Sequence, residues 1–125
     1  NTSVAPYHLA IPRVKQRSPW RERLAGVEGL YGARPAKFYY DLLAPMAAEI
    51  DLWETDYHHV LENLEQVAEW ASGTALVPFL TALKEAEKPA FMADYTAELA
   101  ADYPPRSDGK VLFTMRRIFL VAKRR

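Results

Sequence analysis

Residues 111–122, Val-Leu-Phe-Thr-Met-Arg-Arg-Ile-Phe-Leu-Val-Ala, constrain this chain more than any other stretch. They are rich in β-branched and aromatic side chains and are mostly apolar on both faces. A strand of that kind belongs in the middle of a sheet, where both faces are covered. The other strand-like stretch is residues 50–60, far away in sequence. There Ile50 and Leu52 alternate with Asp51, and Trp53, Thr55, Tyr57 and Val60 follow. A sheet of two strands is marginal alone and cannot cover so many apolar side chains. The expectation is that the sheet continues in polypeptide outside these 125 residues.

The remaining periodicity is helical. Ser3 is placed to cap a first helix, with Pro6 in its opening turn and Tyr7, Leu9 and Ile11 following. Pro12 is expected to kink or end it. Ser18-Pro19-Trp20 reads as a second start, with Ser at the cap and Pro at the first position. Gly26, Gly29 and Gly32 mark residues 26–34 as a mobile loop. Arg34-Pro35 opens a third helix carrying Phe38, Tyr39, Leu42 and Leu43, which Pro45 ends or bends. Leu64, Val67, Trp70 and Ala71 form an apolar stripe that stops at Gly73. Thr74 is placed to cap a short helix with Leu76, Phe79, Leu80 and Leu83. Residues 87–103, with Phe91, Tyr95 and Leu99 four apart, run to Pro104-Pro105. Ser107-Asp108-Gly109-Lys110 is a turn. The class is α+β, with about five helices and a strand pair.

Composition narrows the function. Half the chain is hydrophobic and it has no Cys, which excludes disulfides and thiolate metal sites and fits a reducing cytoplasm. No apolar run reaches the roughly 20 residues of a membrane helix. The opening Asn1-Thr2-Ser3-Val4 lacks a basic leader, an apolar core and an initiator Met, so the chain is expected to be processed or cut from a longer one. Net charge is zero, yet residues 1–37 carry seven Lys/Arg against two Glu, and residues 38–105 carry thirteen Asp/Glu against two Lys. Residues 106–125 are basic again, with seven Lys/Arg against Asp108. Either the basic ends pair with the acidic middle or they gather an anionic ligand. No nucleic-acid motif appears and the domain is not basic overall, so no nucleic-acid partner is expected.

Several stretches agree in order and spacing with a known family. One is Tyr39-Tyr40-Asp41-Leu42-Leu43-Ala44-Pro45, followed by Ile50-Asp51-Leu52-Trp53-Glu54-Thr55-Asp56-Tyr57-His58-His59-Val60. Another runs from Ala101-Asp102-Tyr103-Pro104-Pro105-Arg106 through Gly109-Lys110-Val111 to Arg116-Arg117-Ile118-Phe119. Between them lies Glu69-Trp70-Ala71-Ser72-Gly73-Thr74-Ala75-Leu76-Val77-Pro78. Together they resemble the C-terminal half of the trans-aconitate 2-methyltransferase family. That resemblance implies a doubly wound α/β enzyme using S-adenosyl-L-methionine to methylate a small polycarboxylate. It implies that residues 50–60 and 111–122 are an antiparallel pair at the sheet edge and that the helices cap the substrate. Residues 1–125 would form one C-terminal region. The cofactor site would lie at a Gly-rich turn in an N-terminal half outside this chain. The chain alone would then be inactive and bind no cofactor. Two departures stand out: Val77 replaces an Arg common in the family, a natural carboxylate clamp, and His58 stands where relatives often have Tyr.

Methylating a carboxylate oxygen asks little of the protein beyond alignment, exclusion of water and a grip on the other carboxylates. Cationic and hydroxyl groups near a cleft are therefore the candidates. Tyr57 and His59 share one face of their strand and are the first choice for substrate contacts. Against that, Tyr57 can pack in the core and His59 can bond a carbonyl. Arg106 precedes the last strand and is the remaining carboxylate clamp, unless it pairs with Asp102 or Asp108. Tyr39 and Trp70, inside the matching stretches, complete the set, although the apolar stripe around Trp70 equally suits a core residue. Arg116 and Arg117 fall mid-strand, and one needs an acidic partner such as Glu54 or Asp51. His58 and His59 point opposite ways and do not suit a shared metal. A second reading is a non-catalytic α+β module that self-associates through its exposed sheet edge.

Overall fold

The computed structural model describes residues 5–30 and 32–125. In chain order the elements are α1 (Pro6–Lys15), α2 (Trp20–Arg23), α3 (Ala36–Leu43), β1 (Ala47–Leu61), α4 (Leu64–Ser72), α5 (Val77–Ala82), a 3-10 turn (Glu85–Glu87), α6 (Lys88–Leu99) and β2 (Val111–Arg124). Six α-helices and a two-stranded sheet among the described residues make the class α+β.

The first helix departs from expectation. The cap proposed for Ser3 lies outside the described residues, and Ala5 precedes α1 without a side-chain cap. Pro12 does not end the helix, which continues to Lys15. A proline inside a helix costs about 3 kcal/mol. Tyr7, Ala10, Ile11 and Val14 are buried at helical spacing. Burying Ile11 and Val14 alone contributes roughly 1.5–3 kcal/mol each, enough to offset the proline. Cap positions also shift elsewhere. Pro19, not Ser18, precedes α2, and the Ser18 hydroxyl donates to Glu22 at 2.9 Å. The Thr74 hydroxyl donates back to the Trp70 carbonyl at 3.2 Å and leaves Leu76 before α5. At α4 the Asn63 side chain accepts from the Gln66 amide at 3.0 Å while Gln66 accepts from the Glu62 amide at 2.9 Å, a reciprocal cap.

The core gathers α1, α2, α4, α5, α6 and the first residues of β2. Trp20 stacks edge-on with Phe91 at 5.2 Å, and its indole N–H donates to Asp94 at 2.6 Å. A tyrosine knot ties α1 to α6. The Tyr95 hydroxyl donates to the Tyr7 carbonyl at 2.7 Å, and the Tyr7 amide donates to the Tyr103 hydroxyl at 3.2 Å. Burial pushes the Tyr103 phenol up to about 12. The basic start of the chain pairs with acidic helix α6: Arg13 reaches Glu98 at 3.2 Å and Asp102 at 3.0 Å, and Arg17 also reaches Glu98. The pairing reading of the uneven charge holds for these residues.

Strands β1 and β2 pair antiparallel from Leu61 opposite Val111 to Ala47 opposite Arg124. Only one end of this ribbon joins the core. Val111, Phe113 and Met115 are buried, whereas every residue from Arg116 onward is partly or fully exposed. In β1 only Ala47 is buried. Beyond Tyr57 the ribbon is held by cross-strand contacts, notably Trp53 stacked on Phe119 at 5.4 Å, and by α3, which has no buried residue. Trp53, Leu120 and Val121 stay exposed. The sheet has two strands, so β2 does not lie between two neighbours here. No helix is long and apolar enough to cross a membrane among the described residues.

Candidate functional site

Phe113 is the centre around which the aromatic side chains collect. It comes second on the buried face of β2, after Val111, and is 1% exposed. The rings of Trp70, Tyr7 and Tyr103 meet it at 5.3, 5.5 and 5.7 Å, each edge-on. His59 lies opposite Phe113 in the register, with its ring tilted at 6.5 Å. Edge-to-face geometry sets the positive edge of one ring on the negative face of another and fixes the orientation of each. Trp70 keeps 36% of its surface exposed, so one side of the cluster opens to solvent.

Tyr57 stands one position further along the same face, opposite Met115. Its ring lies 5.0 Å beneath the Arg117 guanidinium, a cation–π contact, and 38% of it is exposed. It is therefore not the core residue that the alternative reading made it. His59 is likewise exposed, and it has no hydrogen bond to a carbonyl among the described residues. His58 takes the other face and meets the Thr114 hydroxyl at 2.8 Å through Nδ1.

Arg106 has no carboxylate within 4.0 Å among the described residues. Asp102 is taken by Arg13, and Asp108 accepts from the Lys110 amide at 3.0 Å. The ion-pair alternative for Arg106 thus fails. Its backbone closes the turn before β2, accepting from Gly109 at 2.8 Å and donating to the Lys110 carbonyl at 2.7 Å. Arg106 lines a hollow together with Asp108, Lys110, Val60 and Leu112, the last two on the sheet face opposite His59. Tyr39 is remote. Its hydroxyl accepts from the Arg34 amide at 2.9 Å, and α3 packs against β1. The twelve residue steps from Ala47 to His59 span about 40 Å of strand. His59, Trp70 and Tyr57 thus share one face, while Arg106 and Tyr39 stand apart from them.

Of the mid-strand arginines, Arg116 is the one with acidic partners. It grips Asp56 with two hydrogen bonds of 2.8 and 3.1 Å and reaches Glu54 at 3.7 Å. Its hydrogen bond holds the Asp56 carboxyl below the usual carboxylate range. Asp56 stands opposite Arg116 in the register, which the unaligned sequence did not reveal. Val77, the departure from the resembling family, is the first residue of α5 and is 42% exposed.

The glycine-rich turn of a doubly wound fold lies between a strand and a helix N-terminus. Gly26 and Gly29 instead follow helix α2, and Gly29 abuts the Phe79 ring.

No family profile matches the chain. Trans-aconitate 2-methyltransferase of Azoarcus sp. (strain BH72) is 48% identical over 106 residues, 85% of this chain and 42% of that protein. The protein of that name from Rhodopseudomonas palustris (strain HaA2) is 43% identical over 118 residues, 94% of this chain and 46% of its own length. That from Agrobacterium fabrum (strain C58 / ATCC 33970) is 37% identical over 119 residues, again 94% and 46%. The chain thus spans about half the length of the curated relatives it matches. By sequence, the chain resembles trans-aconitate 2-methyltransferases over that part of their length.

Proposed function

We propose that this chain is the C-terminal, substrate-capping and sheet-edge part of a cytoplasmic O-methyltransferase that uses S-adenosyl-L-methionine and acts on a small polycarboxylate such as trans-aconitate. The observation that carries the reading is the identity to relatives of that name over nearly the whole chain but about half of theirs. The ribbon agrees with it. Its open edges and exposed Trp53 and Val121 suit a sheet that continues in the remaining length, as a doubly wound fold requires.

The cofactor supplies a methyl group on a sulfonium, and no step of its binding is assigned to these residues. The work left to this chain is to hold the substrate. Tyr57 and His59 offer hydroxyl and imidazole donors on one face, with Trp70 as an apolar wall. Arg106, with no carboxylate within 4.0 Å among the described residues, is the carboxylate clamp, and Tyr39 is a further contact from α3. A carboxylate oxygen is already nucleophilic, so alignment and dryness are the contributions asked of them.

The test is made in the full-length protein, by methyl transfer to trans-aconitate read as ester formation in mass spectrometry. Arg106→Ala and Tyr57→Phe are expected to raise the Michaelis constant with kcat less affected. Unchanged kinetics in both would remove these residues from the site, and no ester with any polycarboxylate would remove the reaction. Val77→Arg is expected to lower the Michaelis constant for trans-aconitate. The exposed apolar ribbon also favours a second reading, self-association through the sheet edge. Sedimentation of this chain as a stable dimer, with no ester formed by the full-length protein, would select it.

A further inference from the structure

Helix α1 shows the core one stripe and presents another to a hollow. His8, Ile11, Pro12 and Lys15 recur at helical spacing along this second side. They form one wall of a hollow of about 290 Å³, with Gly29, Leu30 and Phe79 opposite. The loop can close on Phe79 because residue 29 is glycine: a Cβ there would stand 3.3 Å from the ring. The space is continuous with neither the Phe113 cluster nor the Arg106 hollow by its lining residues.

The charges in this hollow are unusual for the chain. Arg13, Arg17 and Arg23 are all paired with carboxylates. Lys15, on the same stretch, has none within 4.0 Å among the described residues. Its ammonium donates to the Val27 carbonyl at 2.5 Å and lies 5.3 Å from the Phe79 ring centroid. One of its three donors is thereby used. His8 is half-buried, and burial holds its imidazole below the usual range, so it offers a neutral N–H donor at pH 7. Among the described residues no acidic side chain lines the space.

A cation would be repelled by Lys15, and a phosphate dianion calls for more donors than one ammonium and one imidazole. The fitting chemistry is a carboxylate on a short hydrocarbon body. At about 30 Å³ per water the hollow exchanges roughly ten waters, room for about ten heavy atoms. We propose that this trough binds a small carboxylate, ion-paired to Lys15 and hydrogen-bonded by His8, with its carbon chain on Ile11, Leu30 and Phe79. The site needs only this chain and stands whether or not the methyl-transfer reading does.

The chain itself is titrated by amide and side-chain NMR with hexanoate, its methyl ester, and inorganic phosphate. Saturable shifts at His8, Leu30 and Phe79 are expected with hexanoate, weaker by tenfold or more in Lys15→Met and largely restored in Lys15→Arg. The ester and phosphate are expected to leave those signals in place. Leu30→Glu adds a repelling charge at a site already 62% exposed, so it tests the trough without disturbing the core. It is expected to weaken binding, whereas Lys37→Met on exposed α3 does not. Absence of shifts up to about 10 mM, equal binding of the ester, or wild-type affinity in both Lys15→Met and Leu30→Glu would overturn the proposal.

Discussion

Phe113 and Phe119 lie on the same strand and the same face, six residues apart, yet truncating them should have very different effects. Phe113 is 1% exposed and meets four rings between 5.3 and 6.5 Å. Phe113→Ala removes the buried ring and leaves a cavity in a cluster that edge-on contacts hold open. Such truncations cost about 3–5 kcal/mol, against a total stability of roughly 5–15 kcal/mol for a domain of this kind. Phe119 lies on the ribbon beyond the core, where its ring partner is Trp53 at 5.4 Å. Phe119→Ala should lose one cross-strand aromatic pair, about 0.5–1.5 kcal/mol. Urea unfolding followed by circular dichroism reads the difference. With a slope near 1.5 kcal/mol per molar urea, the midpoint should fall by about 2–3 M for Phe113→Ala and by about 0.3–1 M for Phe119→Ala. Equal shifts would refute the reasoning, because they would mean that the outer ribbon is as well covered as the inner one. A shift below about 0.5 M for Phe113→Ala would show that the cluster does not anchor β2.

Two smaller effects follow from local geometry. Asp56 is held below the usual carboxylate range by its hydrogen bond from Arg116, so the unfolded chain takes up that proton more readily than the folded one. The stabilisation is complete above the ordinary carboxylate value of about 4 and fades as pH falls through the lower folded-state value. Arg116→Gln is expected to raise the NMR titration midpoint of Asp56, and an unmoved midpoint would deny the coupling. Gly109 holds φ at 82°, with nothing within 4 Å of an added Cβ, so Gly109→Ala meets backbone strain alone, about 1–2 kcal/mol. Gly73→Ala, at φ −90°, should stay within about 0.5 kcal/mol of the parent, and thermal unfolding of the two variants checks the contrast.

The sheet pair was legible before any coordinates: residues 50–60 and 111–122 declared themselves by alternation and β-branched content. The observed strands extend them by a few residues. Phe91, Tyr95 and Leu99 announced α6 by spacing, and all three are buried. Gly73 ends α4 where expected, although its backbone is right-handed, so glycine was not required there by conformation. The caps were read less well. A hydroxyl such as that of Ser18 or Thr74 can bond forward or backward along the chain, and local sequence does not choose between them.

What the sequence determined by itself was period and family: which segments are helix or strand, and which relatives share their order. Those properties are local, or are read residue by residue along the chain. Tertiary structure decided the rest. It carried α1 through Pro12, because burial of Ile11 and Val14 outweighs one lost helical bond. It set the register that joins His59 to Phe113 and Arg116 to Asp56. It separated Tyr39 and Arg106 from the face carrying Tyr57 and His59. It also opened the trough beside Lys15, which depends on α1 continuing past Pro12 to Lys15. Each of these outcomes depends on which surfaces meet across long stretches of chain, and periodicity holds no record of that.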